Sequence, residues 1–166
     1  MTSKADFTPQ EWTMLLLAPV QTGMAVLLSS SSGLIGTAKE AMALYNATNK
    51  RVAQQYPQNS LIQALLSSNN DQEDKHVFQK VKAYISDNKA RQQVKPEALQ
   101  TCRNVAMLLS QRVSPQEAEG YKQWLMDVST KVASASSENG HAINDAERMT
   151  LKEIADALGT VQTPAP

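Results

Sequence analysis

With 166 residues, 42% of them hydrophobic and only 5% aromatic, the chain is long enough for one well-filled core and short for two. Sixteen Lys and Arg balance sixteen Asp and Glu, which excludes blanket neutralisation of nucleic-acid phosphate as its work. One cysteine and two histidines exclude a disulfide-stapled scaffold and an all-His/Cys zinc site.

Helix starts are marked four times by a capping box. In this device a Ser, Thr or Asn side chain accepts from the third helical N–H, and a Glu at that third position reaches back to the cap. The boxes are Thr8 with Glu11, Thr37 with Glu40, Ser114 with Glu117 and Asn144 with Glu147, so helices are predicted to begin near residues 8, 37, 114 and 144. The first helix enters the most apolar stretch, residues 14–28, where Pro19 is predicted to split or kink it. That stretch is shorter than the roughly 20 apolar residues of a membrane span, and Pro19, Gln21, Thr22 and Gly23 interrupt it. The residues before it include Asp6 and Glu11 and lack the basic start of a signal peptide, so a soluble, cytoplasmic protein is expected.

Pro57 and the polar residues 67–71 break the chain next, ahead of an apolar stripe through Val77, Phe78, Val81, Tyr84 and Ile85. Residues 87–93 and Pro96 read as a further break before the stripe Leu99, Cys102, Val105, Ala106 and Leu109, which makes Cys102 a buried thiol. The lysines of residues 75–95 alternate with Asp74 and Asp87 and describe a solvated face. After Ser114, apolar residues at 118, 121, 125, 128, 132 and 135 keep one helical face for about five turns. Trp12 and Trp124 sit beside apolar neighbours at helical positions and are expected in the core. No β-branched run is bounded by turn signals. The expected fold is therefore all-α: one domain of about seven helices over residues 1–158, with a flexible C-terminal tail at 159–166.

A shift of 107 residues lays Ala25-Val-Leu-Leu-Ser-Ser-Ser-Ser-Gly33 over Val132-Ala-Ser-Ala-Ser-Ser-Glu-Asn-Gly140. Glu40, Met42 and Leu44 then fall on Glu147, Met149 and Leu151. Both halves follow one plan: an apolar helix, a small polar turn ending at Gly, and a capped helix. Two pseudo-symmetric helical hairpins are the expectation.

The second copy, residues 128–159 (VSTKVASASSENGHAINDAERMTLKEIADALG), resembles the C-terminal hairpin of the TerB-like tellurite-resistance family. That family repeats the hairpin near its N-terminus, as residues 24–44 do here. The resemblance implies a helical bundle of related halves with a non-enzymatic stress-response role. It also implies metal binding by acidic residues at the hairpin turns and a cytoplasmic location or peripheral association with the inner membrane. A protein partner or a second copy is the expected company, the even charge balance speaking against nucleic acid. The family's acid before the turn Gly is replaced by Ser32 and Asn139, and its Glu on the following helix comes one residue late, at Glu40 and Glu147. The first turn offers only hydroxyls and carbonyls. A metal site is therefore expected at the second, from Glu138, His141, Asp145 and Glu147. Mixed nitrogen and oxygen ligands suit zinc or another transition ion better than calcium.

Each of these residues also has a structural reason to be present. Glu147 completes a capping box, Asp145 favours the first-turn dipole, and His141 lies in a polar turn. An alternative constellation, Glu73-x-x-His76 with Glu138-x-x-His141, has the spacing of a carboxylate-bridged metalloenzyme, although His76 projects opposite the apolar face of its helix. A ligand-free interaction scaffold is the third reading. For it Met149, which projects away from the stripe of the last helix, is the candidate contact.

Overall fold

The computed structural model describes residues 1–29, 38–68, 71–136 and 143–160, and among these the chain is all-helical. A 3-10 turn at Lys4–Asp6 precedes seven α-helices: α1 (Pro9–Leu27), α2 (Ala38–Ala53), α3 (Ser60–Leu66), α4 (Asp71–Ser86), α5 (Asn88–Arg112), α6 (Pro115–Ser136) and α7 (Asp145–Leu158). No described helix is long and apolar enough to cross a membrane. The predicted tail beyond Thr160 and the turn glycines Gly33 and Gly140 lie outside the described residues.

The helices start where the four boxes predict; Thr37 lies outside the described residues, and of the other three boxes two form in full. Thr8 Oγ1 accepts from Glu11 N at 3.2 Å while Glu11 returns a carboxylate oxygen to Thr8 N at 2.8 Å. Asn144 and Glu147 exchange the same pair at 2.9 and 3.0 Å. At Ser114 only half of the box forms. Ser114 Oγ caps Glu117 N at 3.2 Å, but the Glu117 carboxylate is taken by the hydroxyls of Thr2 and Ser60. Glycine at position 159, with φ 74°, closes α7 in the left-handed conformation that side chains resist.

Pro19 does not split α1. A proline removes the amide that would have bonded the carbonyl four residues back, here Leu15. The Tyr121 hydroxyl of α6 donates to that carbonyl at 2.8 Å, so the lost bond is replaced from a neighbouring helix. Pro96 likewise lies inside an unbroken α5 instead of ending it. Pro96 and Gln92 are both exposed, which leaves the freed Gln92 carbonyl on the watered side of the helix.

Helix α1 is buried on almost every side from Leu15 to Leu27, the mark of a central helix. It packs on α5 and α6 most extensively and also on α4 and α7, while α2 packs on α6 rather than on α1. The main core includes Trp12, Trp124, Leu125, Val128, Leu151 and Ile154. A smaller cluster around Val20, Met24, Val81 and Tyr84 joins α1 to α4 and α5. Phe78 leaves the stripe assigned to it and stands 39% exposed, because only Val81 and Tyr84 anchor α4 in the core.

Shifted by 107 residues, the bounds of α1 become 116–134 and those of α2 become 145–160, beside observed helices at 115–136 and 145–158. Where α1 and α6 meet, Ser129 Oγ donates to Thr22 Oγ1 at 2.8 Å, and these two positions are themselves 107 apart. Each hydroxyl also lies within hydrogen-bond distance of the carbonyl four residues back on its own helix, Ala18 at 3.0 Å from Thr22 and Leu125 at 2.9 Å from Ser129. Both residues are fully buried, so the hydroxyls satisfy each other where water cannot reach.

Candidate functional site

Of the four residues expected to hold a metal, Glu138 and His141 lie outside the described residues. Asp145 is exposed and lies 3.9 Å from Arg148. Glu147 is buried at 7% exposure and takes part in the α7 cap through both its N–H and its carboxylate. Asp145 and Glu147 therefore face different surroundings. Among the described residues, no three His, Cys, Asp or Glu side chains are grouped to hold a metal ion.

The Glu73-x-x-His76 pair is also divided. Glu73 accepts from Lys4 Nζ and from Ser68 Oγ, both at 2.7 Å, whereas His76 is exposed. Burial alone would raise the Glu73 carboxyl, but the bonds from Lys4 and Ser68 outweigh it and hold the group below the usual carboxylate range. Cys102 is buried as expected. Burial pushes its thiol up to about 12, with Arg103 acting weakly in the other direction, so it is not poised as a nucleophile near neutral pH.

The principal concave feature lies elsewhere. A half-enclosed cavity of about 730 Å³ is bounded by Leu16 and Val20 of α1, Met42, Tyr45 and Asn49 of α2, Leu65 of α3, Val77 of α4 and Trp124 of α6. A second cavity of about 480 Å³ adjoins it, bordered by Lys4, Phe7, Trp12, Thr13 and His76. Leu16, Glu73 and Val77 border both. Lys4 of the second cavity pairs with Glu73, and its ammonium lies 5.9 Å from the centre of the Trp12 ring.

The polar groups around the larger cavity are mostly uncharged. Asn49 Nδ2 donates to the Tyr45 hydroxyl at 3.5 Å, while Asn49 Oδ1 is buried with no donor among the described residues. Burial holds the Tyr45 phenol far above its ordinary value. The indole N–H groups of Trp12 and Trp124, one ring at each cavity, also lack a partner among the described residues. Both volumes lie in or near the roughly 300–1,000 Å³ range of small-molecule sites. Sequence reasoning missed this site because its walls come from five helices, and no single segment carries enough of its residues to announce it. The one local signal was the spacing Trp12, Leu16, Val20, a row along the side of α1.

Comparison with protein families, with curated proteins and with solved structures gives no match for this chain.

Proposed function

We propose that the protein is a non-enzymatic, TerB-like binding module with a stress-response role, and that the cavity between α2 and α4 is where it holds its ligand. The observation that carries this is the lining of the cavity, which is equipped to hold a molecule and poorly equipped to transform one. General acid–base work near neutral pH needs a group titrating near that pH. Here the wall offers carboxamides, a phenol raised by burial and a carboxylate kept ionised by Lys4, with Lys50 and Asp74 exposed at its rim.

Uptake of Nile red, a neutral dye that brightens in apolar surroundings, tests the proposal. The folded protein should take up the dye, and Val77→Arg should abolish uptake while leaving helicity intact, since Val77 is only half-buried. A folded protein that takes up no dye would overturn the assignment.

The metal-binding part of the TerB-like proposal rests on Glu138, His141 and Asp145, with Glu147 already engaged as a cap. Calorimetric titration should show zinc bound more tightly than calcium and lost in His141→Ala. Zinc binding unchanged by that substitution would remove this part while leaving the cavity untouched.

A further inference from the structure

Helix α4 is held unequally along its length. In its second half Val81 and Tyr84 are buried. The Tyr84 hydroxyl donates to Glu97 at 2.7 Å and accepts from Gln21 of α1 at 3.2 Å, and Arg91 of α5 donates to the Tyr84 carbonyl at 3.3 Å. The first half, residues 71–80, has no buried residue. Glu73, Val77 and Lys80 are half-buried there and the others are exposed. The charge-assisted tie of this half to the rest of the chain is the Glu73 carboxylate, which accepts from Lys4 Nζ and Ser68 Oγ, each at 2.7 Å. Lys4 stands on a fixed post. Thr2 donates from its N–H to Ser60 Oγ at 2.9 Å and from its hydroxyl to Glu117 at 2.7 Å, and Phe7 on the other side of the turn is buried.

The loosely held half is also the half that matters to the cavities. Every α4 residue that borders one belongs to it: Glu73, Asp74 and Val77 at the larger, and Gln72, Glu73, His76 and Val77 at the smaller. A helix of about ten residues freed from its neighbours is marginal in water. Release of Glu73 and unwinding of this half therefore go together, at a cost below that of unfolding the bundle. Val77 borders both cavities and is only half-buried, so a molecule packed against it would supply the apolar burial that residues 71–80 lack.

Resting on the reading of the cavity as the binding site, we propose that residues 71–80 are its lid, latched by Glu73 to Lys4 and Ser68, able to unwind as far as Val81, and drawn shut by an apolar molecule packed against Val77. Latch and ligand act on one equilibrium, because both favour the closed helix.

Amide hydrogen exchange along α4 of the intact chain tests the lid, with Nile red as the probe that occupies the site. The first four amides of a helix have no acceptor within it, so residues 75–80 report on the lid and residues 82–86 on the anchored half. In the unaltered protein 75–80 should exchange at least about tenfold faster than 82–86. Lys4→Met should speed 75–80 about threefold, within the reach of a part-exposed ion pair, and leave 82–86 unchanged. Nile red at about ten times its dissociation constant should slow 75–80 about tenfold, because opening then has to release the dye. Uniform exchange along α4, an effect of Lys4→Met that is absent or equal in both halves, or bound dye that leaves 75–80 unprotected would overturn the lid while leaving the binding site in place. A folded chain that takes up no dye overturns the site and its lid together.

Discussion

Helices α2 and α7 occupy equivalent places in the 107-residue repeat, yet they meet the core with different faces. In α7 the inward residues are Glu147, Leu151, Ile154 and Leu158. In α2 they are Ala41, Thr48 and Val52, with Tyr45 half-buried between them. Ala41 and Tyr45 correspond to Arg148 and Lys152, which are exposed in α7. One residue is about 100° of helix, so α2 is turned by about that much relative to its counterpart. The turn has a functional consequence. α7 seals its side of the bundle, whereas α2 brings a tyrosine and an asparagine to a cavity wall. Two segments of like plan thus serve as plug and as binding wall through a change of phase alone.

The largest test of that contrast is truncation on each side. Ile154→Ala in α7, and Leu125→Ala in the helix before it, should each cost about 2–5 kcal/mol, because both side chains are fully buried. Met42→Ala, half-buried at the cavity, should cost less than half as much. Urea unfolding followed by circular dichroism measures all three, and equal losses would erase the distinction between plug and wall.

A second test uses the proline that only one half contains. Position 19 corresponds to Met126 in α6, which keeps its amide, so only α1 needs the hydroxyl of Tyr121. Tyr121→Phe should cost about 1–3 kcal/mol by orphaning the Leu15 carbonyl. In a Pro19→Ala background the restored amide should remove most of that penalty. The same penalty in both backgrounds would show that the hydroxyl is not standing in for the missing bond.

Loss of a cap should be felt unequally. Asn144→Ala is expected at the upper end, and Thr8→Ala at the lower end, of the usual range of about 0.5–2 kcal/mol. The Glu147 carboxylate is buried when its cap loosens, while the Thr8 box is exposed. Thermal melts of the two variants would settle the order.

The smallest effect is electrostatic. Glu73 titrates below its usual 4.5, so its bond to Lys4 contributes stability above that value and loses it as pH falls through the lower folded value. Half of the Lys4 side chain is exposed, which limits the contribution to less than about 1 kcal/mol. Lys4→Met should lower stability by up to that amount above pH 4.5, leave it unchanged at lower pH where Glu73 is protonated, and so flatten the acid limb of the stability curve. An acid limb identical in the two proteins would assign it to other carboxylates.

What could be read from the sequence was what is local. The starts of α1, α6 and α7 were announced by side chains within three residues of the backbone groups they serve, and the burial of Leu125 and Ile154 followed from helical phase. Pro19 does not make the split it could have made, and Pro96 was misjudged as a break, because what spares these helices is not local: a tyrosine 102 positions away for the first, an exposed helix side for the second. The half-formed box at Ser114 failed for the same reason, its glutamate drawn off by Thr2 and Ser60. The cavity was beyond reach, since a void belongs to the arrangement of helices and to no segment of any one of them.

The hydroxyl contact between Thr22 and Ser129 bears on how such a chain can arise. When two identical copies associate about a two-fold axis, a residue on that axis meets itself, so its side chain must be its own complement. A lysine would repel its twin and a bare carbonyl would find no donor, but a hydroxyl gives with its proton and receives with its lone pairs. Joined in one polypeptide, the two sites no longer have to match. Here one site carries serine and the other threonine, and each hydroxyl also reaches the carbonyl four residues back on its own helix, so one proton bridges the pair while the other returns to its helix.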